Sequence, residues 1–234
     1  PNPQILDANE NFTLKINNKK LFDKVEDGYL LISTFNIKDG PIAKLYSLKD
    51  QEYLYSWKPP IKKIHKASPN YVDGLNVSKF YRTIHPILFD DGDLVFSSGG
   101  GPLVRIDKCN NLKWSIEDFY HHSNVFYDGK LYSTVTKDFN APSLYLNDAI
   151  SIINPVNGKV EKTIEIHRII KEYLKDNLSL LYGVGEFERD LFHLNSVYPI
   201  KKTDNDFNYS KLINFVKDRK GHDYRYAIDN TKIK

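Results

Sequence analysis

Methionine is missing from this chain, and cysteine occurs once, as Cys109. One thiol excludes an internal disulfide framework and a cysteine-built zinc cluster, and does not by itself set the redox compartment. Long apolar runs are missing as well. Nothing approaches the roughly 20 residues of a membrane span, and no charged-then-apolar leader pattern follows Pro1. A strong charge of either sign is also lacking, since 33 Lys and Arg against 30 Asp and Glu leave a formal net charge of +3. The lysines are scattered rather than gathered into a stripe, so the footprint of a nucleic-acid binder is not there and no nucleic-acid partner is expected. The opening "PNPQILDANENF" has no initiator methionine and reads as part of something longer.

What the chain does have is aromatic strand sequence punctuated by turns. Its 234 residues are 41% hydrophobic, enough for a sizeable core in one large domain or two small ones. Sixteen Tyr and 13 Phe favour sheet over a helix bundle. "EDGYLLISTF" (26–35) is a turn and a strand, and "YDGKLYSTVTKD" (127–138) is another. "DDGDLVFSSGGGPLVRIDKCNNLKWSI" (90–116) runs turn, strand, Gly-rich turn, strand, Asn-Asn turn, strand. "AISIINPVNGKVEKTIEI" (149–166) is strand, Asn-Gly turn, strand, and "AKLYSLKDQEYLYSWKP" (43–59) is an earlier version of the same hairpin. Asp-Gly and Asn-Gly between apolar runs are strong hairpin signals.

Meanders repeating at roughly 40 residues are what propeller blades look like, with a two-sheet sandwich as the competing architecture. The expected fold is therefore all-β, a β-propeller of four-stranded antiparallel blades. One stretch breaks the pattern. In "HRIIKEYLKDNLSLLYGVGEFERDL" (167–191), Ile169, Ile170, Tyr173, Leu174 and Leu178 have helical spacing, which predicts a helical insertion at about 167–190.

Histidines fall at repeating places. His85 stands six residues before Asp91, and His122 six before Asp128. His193, in "LFHLNSVYPIKKTDND", also precedes an apolar strand and a polar turn. His85, His121 or His122, and His193 thus hold one position in three units. In a propeller the innermost strands converge on the axis, so such residues would share a channel. Imidazoles there can bind anions, move protons near neutral pH or act as nucleophiles. The structural alternative is a set of hydrogen-bonded residues with no chemistry. His65, in the basic loop "IKKIHKASP", His167 and His222 stand outside the register.

Taken together, "RTIHPILFDDGDLVFSSGGGPLVRIDKCNNLKWSIEDFYHHSNVFYDGKLY" (82–132) and "DLFHLNSVYPI" (190–200) resemble the arylsulfotransferase superfamily, in the PQQ-like propeller group. The resemblance covers about residues 25–200. It implies a six-bladed propeller, exported to the periplasm in bacterial members, that moves a sulfuryl group from an aryl sulfate ester to a phenol without a nucleotide donor or other cofactor. It implies a histidine as nucleophile, with further histidines, an arginine and an asparagine stabilising charge and moving the proton. His193 and Asn195 match the family's His-x-Asn, His121 or His122 its earlier histidine, and His85 a further channel residue that would touch substrate.

Two departures accompany the match. No Ser-x-Arg strand follows the His-x-Asn segment, and Arg219 lies among charged residues. His222 is too near His193 to be the family's sulfated histidine one blade on. The chain reads as a partial or truncated member: residues 1–200 supply three to four of six blades, and 201–234 form a divergent polar tail or the start of another blade. Its open edges call for another chain or self-association. Activity then depends on the rest of the propeller being supplied.

Other motifs add little. "SSGGGP" (97–102) lacks the Lys and helix of a P-loop and reads as a turn. Adjacent His121 and His122 should point to opposite strand faces, which argues against one metal held by both. A metal site from His85, His122, His193 and a carboxylate remains a geometric alternative. "DNDFN" (204–208) lacks the Gly and Glu of a calcium loop, and the sequons "NFT" (11–13) and "NVS" (76–78) are short enough to arise by chance. Trp57 and Trp114 end equivalent hairpins and read as packing between units rather than ligand stacking. Beside the transferase stand two rivals: a non-catalytic binding or scaffold propeller, and a metal- or quinone-binding one.

Overall fold

The computed structural model describes residues 28–36, 40–50, 52–70, 81–137, 147–169 and 194–200. The protein is mostly β, and every strand pairing in the described residues is antiparallel. Strands β1 (Tyr29–Asn36), β2 (Gly40–Ser47) and β3 (Glu52–Trp57) form one sheet in chain order. Strands β4 (Ile84–Leu88), β5 (Leu94–Ser97), β6 (Gly101–Ile106), β7 (Leu112–Tyr127), β8 (Lys130–Lys137), β9 (Asn147–Ile153) and β10 (Val160–Glu165) form a seven-stranded meander, also in chain order. Among the described residues the sheets are not closed into a ring. By compactness the chain divides into residues 1–198 and 199–234, and the second unit has only 199–200 among the described residues.

The turns follow from their residues. Tyr127 pairs directly with Lys130, leaving Asp128 (φ 48°) and Gly129 (φ 73°) as a two-residue turn with both central residues left-handed. That is the type I′ geometry an Asp-Gly pair favours, because its twist matches the strands it joins. At the end of β6, the Asp107 carboxylate accepts from the backbone N–H groups of Cys109 and Asn111, and Asn110 takes the left-handed conformation.

β7 organises the molecule. Its first part pairs with β6 (Arg105 opposite Trp114) and its last part with β8 (Tyr127 opposite Lys130). The meander therefore folds back across this 16-residue strand. Side chains of β5 and β6 alternate between two cores. Leu94, Phe96, Val104 and Ile106 pack with Ala43, Trp57 and Ile64. Val95 and Leu103 pack with Tyr120, Leu131, Val135, Ala149 and Ile153. β6 is buried along its whole length because it is covered on both faces. Three layers of sheet result, with a core in each gap.

The tryptophans join these layers. Trp57 Nε1 donates to the Gly92 carbonyl and Trp114 Nε1 to the Pro155 carbonyl, each at 3.0 Å and each on a turn of the following layer. This matches the expectation of packing between units.

Two expectations need adjustment, and a third falls mostly outside the described residues. The first sheet has three strands, not four, in the described residues. The segment read as a basic loop at His65 is a helix, α1 (Ile61–Ala67). Pro60 at its start has no N–H to leave unsatisfied, and the three-residue spacing of Ile61 and Ile64 puts both against the first core. In the insertion expected at 167–190, residues 166–169 are helical and the rest lies outside the described residues.

Candidate functional site

Two of the in-register histidines share an unusual backbone. His85 has φ 42° and His122 has φ 37°, the left-handed region that non-glycine residues avoid. Each lies where strand pairing slips: β4 is irregular between Ile84 and Ile87, and β7 between Tyr120 and Asn124. Side chains hold the β7 irregularity in place. The Thr134 hydroxyl accepts from the Ser123 N–H (3.0 Å) and donates to the His121 carbonyl (2.5 Å), satisfying groups that the ladder leaves over. Asn124 then spans the gap to β4, its Nδ2 donating to the carbonyls of Ile84 (3.1 Å) and His85 (3.2 Å).

The left-handed turn at His122 overturns the expectation that His121 and His122 point to opposite faces. Strand alternation requires extended backbone on both residues, and His122 is not extended. The two rings meet edge to face with centroids 5.0 Å apart, and Nδ1 of one lies 2.8 Å from Nδ1 of the other. His121 is buried and His122 exposed.

Behind the pair lies a chain of polar groups that the sequence reading did not contain. His121 Nε2 is 3.1 Å from Thr136 Oγ1 and 3.7 Å from Asp148 Oδ1. The Thr136 hydroxyl donates to Asp148 Oδ1 at 2.8 Å. Thr136 and Asp148 are each 2% exposed, so these bonds form away from water. The second carboxylate oxygen, Oδ2, accepts from the backbone N–H of Leu194 at 3.1 Å. Next to the pair, burial pushes the Tyr120 phenol well above its usual range, although a hydrogen bond to Ser151 opposes the shift. The shift favours the protonated phenol.

The other sequence-predicted residues are placed as follows. His193 lies outside the described residues. Asn195 is exposed, on the irregular segment 194–200. His85 is exposed, and Asn124 ties it to the second half of β7 through its carbonyl. His167 Nδ1 lies 2.8 Å from Asn147 Oδ1, and its Nε2 is 3.5 Å from Glu165. His222 lies outside the described residues. Among the described residues no group of three or more His, Cys, Asp or Glu is placed to hold a metal ion. A cavity of about 240 Å³ is lined by Gly28, Tyr29, Ser47, Lys49 and Asp50, apart from the histidines.

Thr136 and Asp148 sit in "YSTVTKD" and "LNDAI", where nothing in spacing or composition sets them apart. Only the pairing of Thr136 opposite Asp148 on β8 and β9 brings them to His121. No family model and no curated protein matches the chain.

Proposed function

We propose that this chain carries the histidine site of an arylsulfotransferase-like propeller. In this reading β4, β5, β6 and the first part of β7 are one blade, and the rest of β7 with β8, β9 and β10 is the next. The Asn124 bridge then joins the first strands of neighbouring blades, the place where channel residues gather. The observation that carries the reading is the Asp148 carboxylate. One oxygen holds Thr136 beside His121, and the other holds the Leu194 N–H between His193 and Asn195. The two sequence segments behind the resemblance, far apart in the chain, thus meet on one side chain.

The chemistry assigned is transfer of a sulfuryl group from an aryl sulfate to a phenol. A histidine nitrogen forms a bond to sulfur as the bond to the aryl oxygen breaks; the phenol acceptor then attacks sulfur, gives up its proton and frees the histidine. His122, exposed beside the buried His121, takes or returns that proton in this reading, with His193 and Asn195 carried over from the resemblance. The substrates are small molecules, and the site is an exported one by the same resemblance. The rival reading is a non-catalytic binding module.

Sulfuryl transfer from a chromogenic aryl sulfate to a phenol decides between the two. His122→Ala should lower the rate about a hundredfold or more, the scale of a general acid–base contribution. His193→Ala should abolish transfer. Wild-type protein with no transfer above the uncatalysed rate sinks the enzymatic reading for this chain.

A further inference from the structure

The hydrogen bonds behind His122 specify where its protons are. An ionised Asp148 only accepts, so the Thr136 hydroxyl spends its proton on Oδ1. Thr136 Oγ1 must then accept from His121, which places a proton on His121 Nε2. A neutral His121 therefore presents a bare Nδ1 at 2.8 Å from Nδ1 of His122, and His122 must donate there. The lone pair of neutral His122 is left on Nε2. Four side chains on three strands fix one tautomer on an exposed ring.

We propose that His122 and His121 form a proton relay, oriented by Thr136 and Asp148, in which His121 takes up the charge that enters at His122. The inference rests on His122 being a reactive group, as read above, but its geometry stands without the sulfuryl chemistry. When Nε2 of His122 takes a proton from an acceptor hydroxyl, the Nδ1 proton of His122 passes to Nδ1 of His121. His122 returns to neutral in its other tautomer, with the proton on Nε2. His121 becomes the imidazolium, and its positive charge lies 3.7 Å from Asp148 Oδ1 in a site shielded from water. Protons and charge balance: one proton enters at Nε2, one moves between rings, and Asp148 compensates the charge. Thr136 and Asp148 are positioning residues, because neither reaches the exposed edge of His122.

Asp148→Asn provides a test that a merely structural role would not pass. The Leu194 N–H needs an acceptor, so the new side chain turns its carbonyl oxygen to Leu194 and its NH₂ to Thr136. Thr136 must then donate to His121 Nε2, and both imidazole tautomers reverse. Nitrogen-15 NMR of the two rings, with the full chain at a pH where both are neutral, should show His121 protonated at Nε2 and His122 at Nδ1 in the wild type. Asp148→Asn should invert both, Thr136→Ser should keep the wild-type pattern, and Thr136→Val should leave His122 a mixture. Wild-type tautomers opposite to these, or tautomers that ignore Asp148→Asn in a folded variant, overturn the relay. An enzyme inactive on aryl sulfates but with the expected tautomers would refute the sulfuryl reading and leave the relay standing.

Discussion

Gly158 and Gly129 both stand in turns with left-handed backbone, at φ 72° and 73°, yet they differ in what surrounds them. A Cβ on Gly158 would come within 2.8 Å of the Trp114 ring, whereas a Cβ on Gly129 meets nothing within 4 Å. Gly129→Ala should therefore cost only the left-handed backbone term, about 1 kcal/mol. Gly158→Ala should cost clearly more, about 2–4 kcal/mol, because the indole that donates to Pro155 must also give way. Urea midpoints of the two variants check this, and equal midpoints would show that the Trp114 contact is soft. Both turns were legible in the sequence as Asp-Gly and Asn-Gly. The pressure of Trp114 on one of them was not, because it comes from a strand about 40 residues away.

The irregular stretches of β4 and β7 raise the question of why histidine occupies a left-handed position at all. Glycine takes φ near +40° freely, and His85 is further restricted by the proline that follows it. A residue held at a strained φ where glycine would fit is a pointer to use rather than to packing. His85→Gly should accordingly raise stability by about 0.5–1 kcal/mol, the left-handed cost less the entropy of a freer unfolded glycine. The midpoint of chemical unfolding measures it. A variant less stable than wild type would mean that the His85 side chain holds the fold, and the strained-for-function argument would fail there. The equal spacing of His85 and His122 from their Asp-Gly turns was visible in the chain. The two positions it marks share the left-handed backbone. The sequence reading failed on side-chain direction, because alternation assumes extended backbone and says nothing about a residue that leaves it.

Between layers, one ion network stands out. Arg105 is 5% exposed, stacks over the Phe89 ring, and donates to Asp91, Asp93 and the Pro155 carbonyl, so it links the turn after β4 to the turn after β9. Burial alone would raise the Asp91 pKa, but the Asp93 N–H and the Arg105 and Lys113 cations outweigh it and hold the carboxyl below its usual range. The folded chain then binds this proton less readily than the unfolded chain. Its contribution to stability is complete above the ordinary carboxylate value of about 4 and declines as pH falls through the lower folded value. Asp91→Asn should shrink the loss of stability between about pH 5 and pH 3, read from urea midpoints at each pH. An unchanged loss would assign the acid sensitivity to other carboxylates.

Local chemistry alone determined a good deal: a mostly β chain, the positions of its hairpins, and the Trp57 and Trp114 contacts between units. These follow from turn residues and apolar patterning, which act over a few residues. The meeting of His121 with His122, the Thr136–Asp148 pair behind them, and the docking of Leu194 on Asp148 came from the fold. They depend on one left-handed residue and on strand register across β7, β8 and β9. Hydrogen bonds of that kind join residues whose separation in the chain carries no periodic signal, so only the folded backbone brings them within reach.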